Sequence, residues 1–281
     1  MKNHHKFREF LIPFQYKSNG VVFKLLCSNR SAKKVSTCVL LHGSGGVGIT
    51  EKLVSKKILE NNFNVIVVDY FTPNGIMNLK WEGLDKEKNI TYQTTSTLIT
   101  KGLEYIKKID FINELFDLNN LIISGFSLGG SVALILSSNE NIKQSISCYP
   151  SVNPITKSLM SINTEKIQVF VGANDNWNPL SRLLTYKKYF PDLKINIIEN
   201  GFHGFMKYGS DFEIDSLSLA NMPFGDKIYS DEEYEQAILT GIWHKQIKEQ
   251  KLQNYKIKLK YDEEGFKTVL NQILKGLSLD V

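Results

Sequence analysis

From Val35 to about Ile198 the chain alternates between short, nearly continuous apolar runs and longer stretches with apolar residues at helical spacing. The short runs are Thr37–Leu41, Asn64–Asp69, Asn120–Ser124, Gln144–Tyr149, Lys166–Val171 and Lys194–Ile198. Runs this short and this apolar predict strands buried on both faces of a parallel sheet. The stretches between them predict amphipathic helices over Glu51–Glu60, Thr94–Lys108, Leu128–Ser137 and Leu180–Tyr189. Strand and helix in alternation predict an α/β protein, with a doubly wound, mostly parallel sheet flanked by helices. The opening segment, Leu11–Leu26, adds a hairpin at the sheet edge.

One region breaks the rhythm. Between Phe205 and about Lys260 no clear strand is visible; Asp211, Asp215, Pro223 and Asp226 mark loops, and Asp231–Gln250 reads as a helix. The last segment, Asp262–Leu277, reads as a helix again. The expectation is one domain over residues 1–281, with residues 206–260 inserted before the C-terminal helix. That insertion carries Phe212, Leu217, Leu219, Met222, Phe224, Tyr229, Tyr234 and Trp243, many of which need burial. With the sheet faces already covered, a lid over the site would bury some of them. The rival arrangement is an extra helical layer packed away from the site.

Composition narrows the function classes. The chain has 281 residues, 42% apolar and 22% charged, with a formal net charge of +5. These are ordinary values for a folded globular protein. The positive excess is scattered lysine; the only arginines are Arg8, Arg30 and Arg182. Nucleic-acid sites lean on arginine for bidentate and stacking contacts, so nucleic acid is not an expected partner. The lysines between Lys245 and Lys260 read as a solvated face. Cys27, Cys38 and Cys148 form no disulfide pattern, and Cys38 and Cys148 sit in apolar runs as small buried residues. No run has the length of a membrane span, and the apolar patch Phe10–Phe14 is too short for a signal core. The expectation is a cytoplasmic protein with a small-molecule substrate.

The chemistry sits at strand ends. Gly125-Phe126-Ser127-Leu128-Gly129 fits G-x-S-x-G, with Leu121-Ile122-Ile123 leading in and the helix-forming run Val132–Leu136 leading out. That is the strand–turn–helix setting of a nucleophile elbow, which makes Ser127 the candidate nucleophile. Leu41-His42-Gly43-Ser44-Gly45-Gly46 follows another strand. It lacks the lysine of a P-loop and the spacing of a dinucleotide fingerprint. In a hydrolase such a loop gives one backbone N–H to the oxyanion hole, and the residue after the nucleophile gives the other. These are assigned to Ser44 and Leu128, and His42 to a buried hydrogen bond. Asp175 ends a third strand in Val171-Gly172-Ala173-Asn174-Asp175. Taken alone it would read as an Asx-turn or helix cap. His203, in Gly201-Phe202-His203-Gly204-Phe205, follows the last strand; of the other four histidines, His4 and His5 lie in the tail, His42 in the oxyanion loop and His244 in the insertion. The chain order Ser127, Asp175, His203 is the hydrolase order of nucleophile, acid and base.

These motifs together resemble the dienelactone-hydrolase-like family of the α/β-hydrolase superfamily. The likeness is carried by HGSGG at 42–46, GFSLGG at 125–130, GANDNWNP at 172–179, FHGF at 202–205 and YDEEGF at 261–266. It covers roughly residues 20–205 and 260–278. It implies an α/β-hydrolase fold and a Ser127–His203–Asp175 triad working without metal or organic cofactor. Two features depart from the pattern. Dienelactone hydrolase itself uses a cysteine where Ser127 stands. It also holds its substrate's carboxylate with arginines, whereas here Lys207 is the nearest basic residue after His203. The expected activity is therefore hydrolysis of a carboxylester, lactone or thioester. The alternatives are an acyltransferase or thioesterase of a biosynthetic pathway, and a non-catalytic binding protein of the same fold.

Overall fold

In a computed structural model, residues 7–28, 34–77, 90–218, 222, 224, 227–250, 252 and 254–278 are described, with 243, 244 and 247 as backbone alone. His4, His5, Arg30, Leu219, Pro223 and Asp226, and the side chains of Trp243 and His244, lie outside the described residues. Strands β1 (Phe7–Tyr16) and β2 (Asn19–Ser28) form an antiparallel hairpin at one edge, longer than the sequence predicts. The inner strands are β3 (Thr37–Leu41), β4 (Asn64–Asp69), β5 (Leu121–Phe126), β6 (Ile142–Cys148), β8 (Ile167–Gly172) and β9 (Lys194–Ile198). With a two-residue β7 (Ile155–Thr156) set apart, the main sheet runs β1-β2-β4-β3-β5-β6-β8-β9. All of its pairings from β4 to β9 are parallel.

Alternation along each strand feeds two cores. Val39, Leu41, Ile66 and Val68 join the larger core with helices α2 (Tyr92–Ile106), α4 (Leu128–Leu136) and α5 (Leu180–Lys187). Cys38, Leu40, Val65 and Val67 face the other way, toward α1 (Ile49–Glu60) and α8 (Glu263–Ser278). A short α3 (Asp110–Leu115) has no counterpart among the predicted helices. Cys38 and Cys148 are buried and unpaired, as their apolar settings predict, and Cys27 is too. No helix among the described residues is long and apolar enough to cross a membrane.

Residues 206–260 differ from expectation in two ways. Three strands are present: β10 (Asp211–Ser216) pairs antiparallel with β12 (Tyr255–Lys260), and β11 (Ile228–Tyr229) pairs parallel with β7. The first pair joins segments some forty residues apart through cross-strand charges, Lys258 to Asp211 and, at 2.9 Å, Lys256 to Asp215. Such a half-exposed ribbon has no continuous apolar run to announce it. The single helix expected over Asp231–Gln250 is two, α6 (Asp231–Thr240) and α7 (Ile242–Glu249). Gly241, at φ 65, ends the first in the left-handed conformation that glycine tolerates best. Helix α6 docks on the α2 side, where Tyr234 stacks on Tyr92 at 5.5 Å between ring centres.

Tyr234 is buried and Ile242 exposed. Tyr234→Ala should cost about 3 kcal/mol, the scale of an emptied aromatic site. Ile242→Ala should change stability by less than about 0.5 kcal/mol. Urea denaturation of the two variants measures this; equal small losses would mean α6 is not part of the core.

Candidate active site

The turn between β5 and α4 is built by backbone contact. A side chain on Gly125 would sit 2.0 Å from the Gly129 carbonyl, and one on Gly129 would sit 2.4 Å from that of Leu41. Only glycine fits either position. The turn places Ser127 at φ 55, ψ −114, a strained geometry for a serine. Its own N–H donates to Cys148 O at 2.9 Å, tying the turn to the end of β6. Leu128 is the first residue of α4, so its N–H is one of the helix's unpaired donors. Ser44 lies in a tight turn closed by Gly46 N–H to Gly43 O at 3.1 Å. Both Ser44 and Ser127 border one pocket of about 180 Å3.

Asp175 and His203 are carried to the same place by neighbouring strands, β8 and β9. Their loops are fastened together by Asn174 N–H to Gly201 O at 2.9 Å. The Asp175 carboxylate divides its labour. Oδ1 accepts from Trp177 N–H at 2.9 Å and Asn178 N–H at 2.8 Å. Oδ2 lies 2.9 Å from His203 Nδ1. A carboxylate only accepts, so Nδ1 carries the hydrogen and Nε2 is left as an acceptor. Nε2 lies 3.2 Å from Ser127 Oγ. Both Asp175 and His203 are buried. Ser127, His203 and Asp175, predicted from strand ends far apart in the chain, thus meet in one hydrogen-bonded chain, with Ser44 and Leu128 beside it.

His42 is elsewhere in function. Its Nδ1 is 2.7 Å from Gly43 O, its Nε2 accepts from Tyr70 N–H at 3.4 Å, and its ring stacks on Tyr70. Full burial lowers its pKa to about 4, against smaller opposing effects of Gly43 O and Asp69. It is a neutral strut under the loop, in keeping with the buried hydrogen bond predicted for it.

Several pocket residues escaped the sequence reading. Trp177 and Tyr149 pack steeply inclined against the His203 ring, at 4.8 and 5.0 Å between ring centres. Glu51, buried at the start of α1, lines the wall, and burial raises its carboxyl against the pull of Gly48 N–H and Lys207. Leu259 of β12 forms a parallel bridge with His203 and also lines the pocket. Trp177 stood inside a recognised motif, whereas nothing local announces Leu259. From residues 206–260 only Lys207 and Leu259 reach this pocket among the described residues. Larger surface grooves exist, one of about 560 Å3 between β2 and α1, but none holds the Ser127–His203–Asp175 chain. Chemistry, not size, locates the site.

Residues 24–248 match the Dienelactone hydrolase family. The chain belongs to that family. This dienelactone hydrolase relative is accordingly a hydrolase of the α/β-hydrolase fold, as the motif resemblance implied. Its structure is similar to that of a dienelactone-hydrolase-like protein of Klebsiella pneumoniae, with TM-score 0.57 and 13% identity over 86% of this chain and 98% of that one. It is also similar to the dienelactone hydrolase of Anabaena variabilis, with TM-score 0.53 and 13% identity over 87% and 97% of the two chains. At such identity the likeness concerns the fold. A search of curated proteins found no match.

The buried imidazole of His42 sets a pH dependence of stability. Its folded pKa of about 4 lies below the ordinary 6.5, so only the unfolded chain takes up the proton between those values. Stability should therefore fall by about 3 kcal/mol as pH drops from 6.5 to 4, with no contribution from this group above that window. In proton NMR the His42 ring resonances should stay unshifted from pH 8 to pH 5. A His42 titration near 6.5 would show that the ring is not sealed.

Proposed function

We propose that the protein is a serine hydrolase that cleaves a carboxylester, lactone or thioester through an acyl-enzyme on Ser127. The observation that carries the reading is the chain Ser127 Oγ to His203 Nε2 at 3.2 Å and His203 Nδ1 to Asp175 Oδ2 at 2.9 Å. His203 takes the Ser127 proton as Oγ attacks the carbonyl carbon. The N–H groups of Ser44 and Leu128 stabilise the oxyanion. The imidazolium, held in its tautomer by Asp175, protonates the leaving group, and a water activated by the same ring releases the acid. A pocket of about 180 Å3 suits a small acyl group. Residues 206–260 act within this single domain as an insertion that shapes substrate choice through Lys207 and Leu259, rather than as a detached lid.

Intact-mass analysis after treatment with a fluorophosphonate should show one adduct, mapped to Ser127 and lost in Ser127→Ala. Ser127→Ala and His203→Ala should each lower kcat on 4-nitrophenyl acetate by roughly 1,000-fold or more, and Asp175→Asn by on the order of 100-fold or more. A folded Ser127→Ala protein with near-normal turnover would place the nucleophile elsewhere. Leu259→Ala should raise kcat/KM for butanoate relative to acetate esters by enlarging the wall. An unchanged acyl preference would remove the insertion from substrate selection.

A further inference from the structure

Tyr149 is a pocket residue that the acyl-transfer scheme leaves without a task. It follows β6 and adopts φ 40, a backbone region that bulky residues rarely occupy. The contacts around it enforce that geometry. Tyr149 N–H donates to Phe170 O at 2.6 Å, and its carbonyl accepts from Asn178 Nδ2 at 3.1 Å. The preceding carbonyl, of Cys148, accepts the Ser127 N–H. Tyr149 is thus stitched both to the turn that carries Ser127 and to the turn that carries Asp175. Backbone strain survives where its surroundings over-determine it, and such positions cluster at functional sites.

The side chain points the same way. Tyr149 is only 3% exposed, yet it borders the pocket, with its ring steeply inclined to that of His203. Its hydroxyl has no hydrogen-bond partner among the described residues, and that oxygen keeps a trace of accessible surface. Burial, reinforced by the nearby Cys148, Glu51 and Asp175, pushes the phenol well above its ordinary range, so it stays protonated. In the sheet, β3 and β6 flank β5, which sets the Ser44 loop and Tyr149 on opposite sides of Ser127. With the oxyanion on Ser44 and Leu128, as the acyl-transfer reading has it, the leaving group would lie toward His203, against whose ring Tyr149 packs.

We propose that Tyr149 is a further catalytic residue, whose hydroxyl donates a hydrogen bond to the leaving-group oxygen as the acyl carbon–oxygen bond breaks. This rests on the acyl-transfer reading above. The breaking bond leaves its electron pair on the departing oxygen, His203 Nε2–H supplies the proton, and the phenol keeps its own. A fixed donor aimed at developing charge helps most where that charge is least stable. A poor leaving group should therefore depend on Tyr149 more than a good one does.

Tyr149→Phe keeps the ring and removes only the donor. Its kcat/KM, which reports steps up to acylation, should fall roughly 30-fold or more on benzyl acetate and less than about 3-fold on 4-nitrophenyl acetate. Melting temperature and final extent of fluorophosphonate labelling at Ser127 should match the parent. With labelling intact, equal losses on the two esters, or no loss on either, would overturn the role of Tyr149 and leave the serine-hydrolase reading standing. Absence of Ser127 labelling in the parent itself would overturn both.

Discussion

The site depends on one constraint, the packing of backbone against backbone around Ser127. With Gly125 pressed against the Gly129 carbonyl and Gly129 against those of Leu41 and His42, there is room for no side chain at either position. The chain therefore turns sharply from β5 into α4, and Ser127 takes up φ 55. This strain is held by neighbours on both sides, β3 and β6, and not by the turn alone. Loosening it would move the hydroxyl away from His203 and the Leu128 N–H out of line together. The helix beneath contributes its unpaired amides and the positive end of its dipole at the same point.

A second economy lies in Asp175. The Asx-turn and the acid partner are rival readings of one residue in the sequence, and in the structure one carboxylate makes the contacts of both. One oxygen closes the turn over Trp177 and Asn178 while the other reaches His203. The turn fixes the carboxylate's direction, which in turn fixes the imidazole tautomer. Asn178 goes on to hold the Tyr149 carbonyl, so the acid loop and the strained end of β6 are one hydrogen-bonded unit.

The parallel core was legible because buried strands are short apolar runs, and β3 and β4 begin and end where those runs do; β9 matches its run too, although as the edge strand it is partly exposed rather than buried on both faces. Strand ends then told which loops meet, since a parallel sheet gathers its carboxyl ends on one edge. What remained hidden was non-local. The ribbon of β10 and β12 is held by charge pairs between segments far apart in sequence, and the bridge from Leu259 to His203 belongs to it. In the sequence Tyr149 is simply the last residue of an apolar run. Its left-handed backbone comes from the neighbouring loops, not from any preference of tyrosine.

The wall of the pocket explains why family membership does not carry the substrate with it. The groups of the proposed triad come from strand-end loops, whose geometry the sheet dictates. The groups that would touch the rest of a substrate come from α1, the segment after His203, and β12, which the sheet does not constrain. There Glu51 offers a buried carboxyl and Lys207 a lysine at the exposed rim. A carboxyl that burial already drives toward its neutral form would be driven further by a second carboxylate placed beside it. An anionic substrate would meet one mobile ammonium where a planar guanidinium would give a two-point grip. On the proposed acyl-transfer reading, the electrostatics of this wall favour a neutral ester over an anionic one.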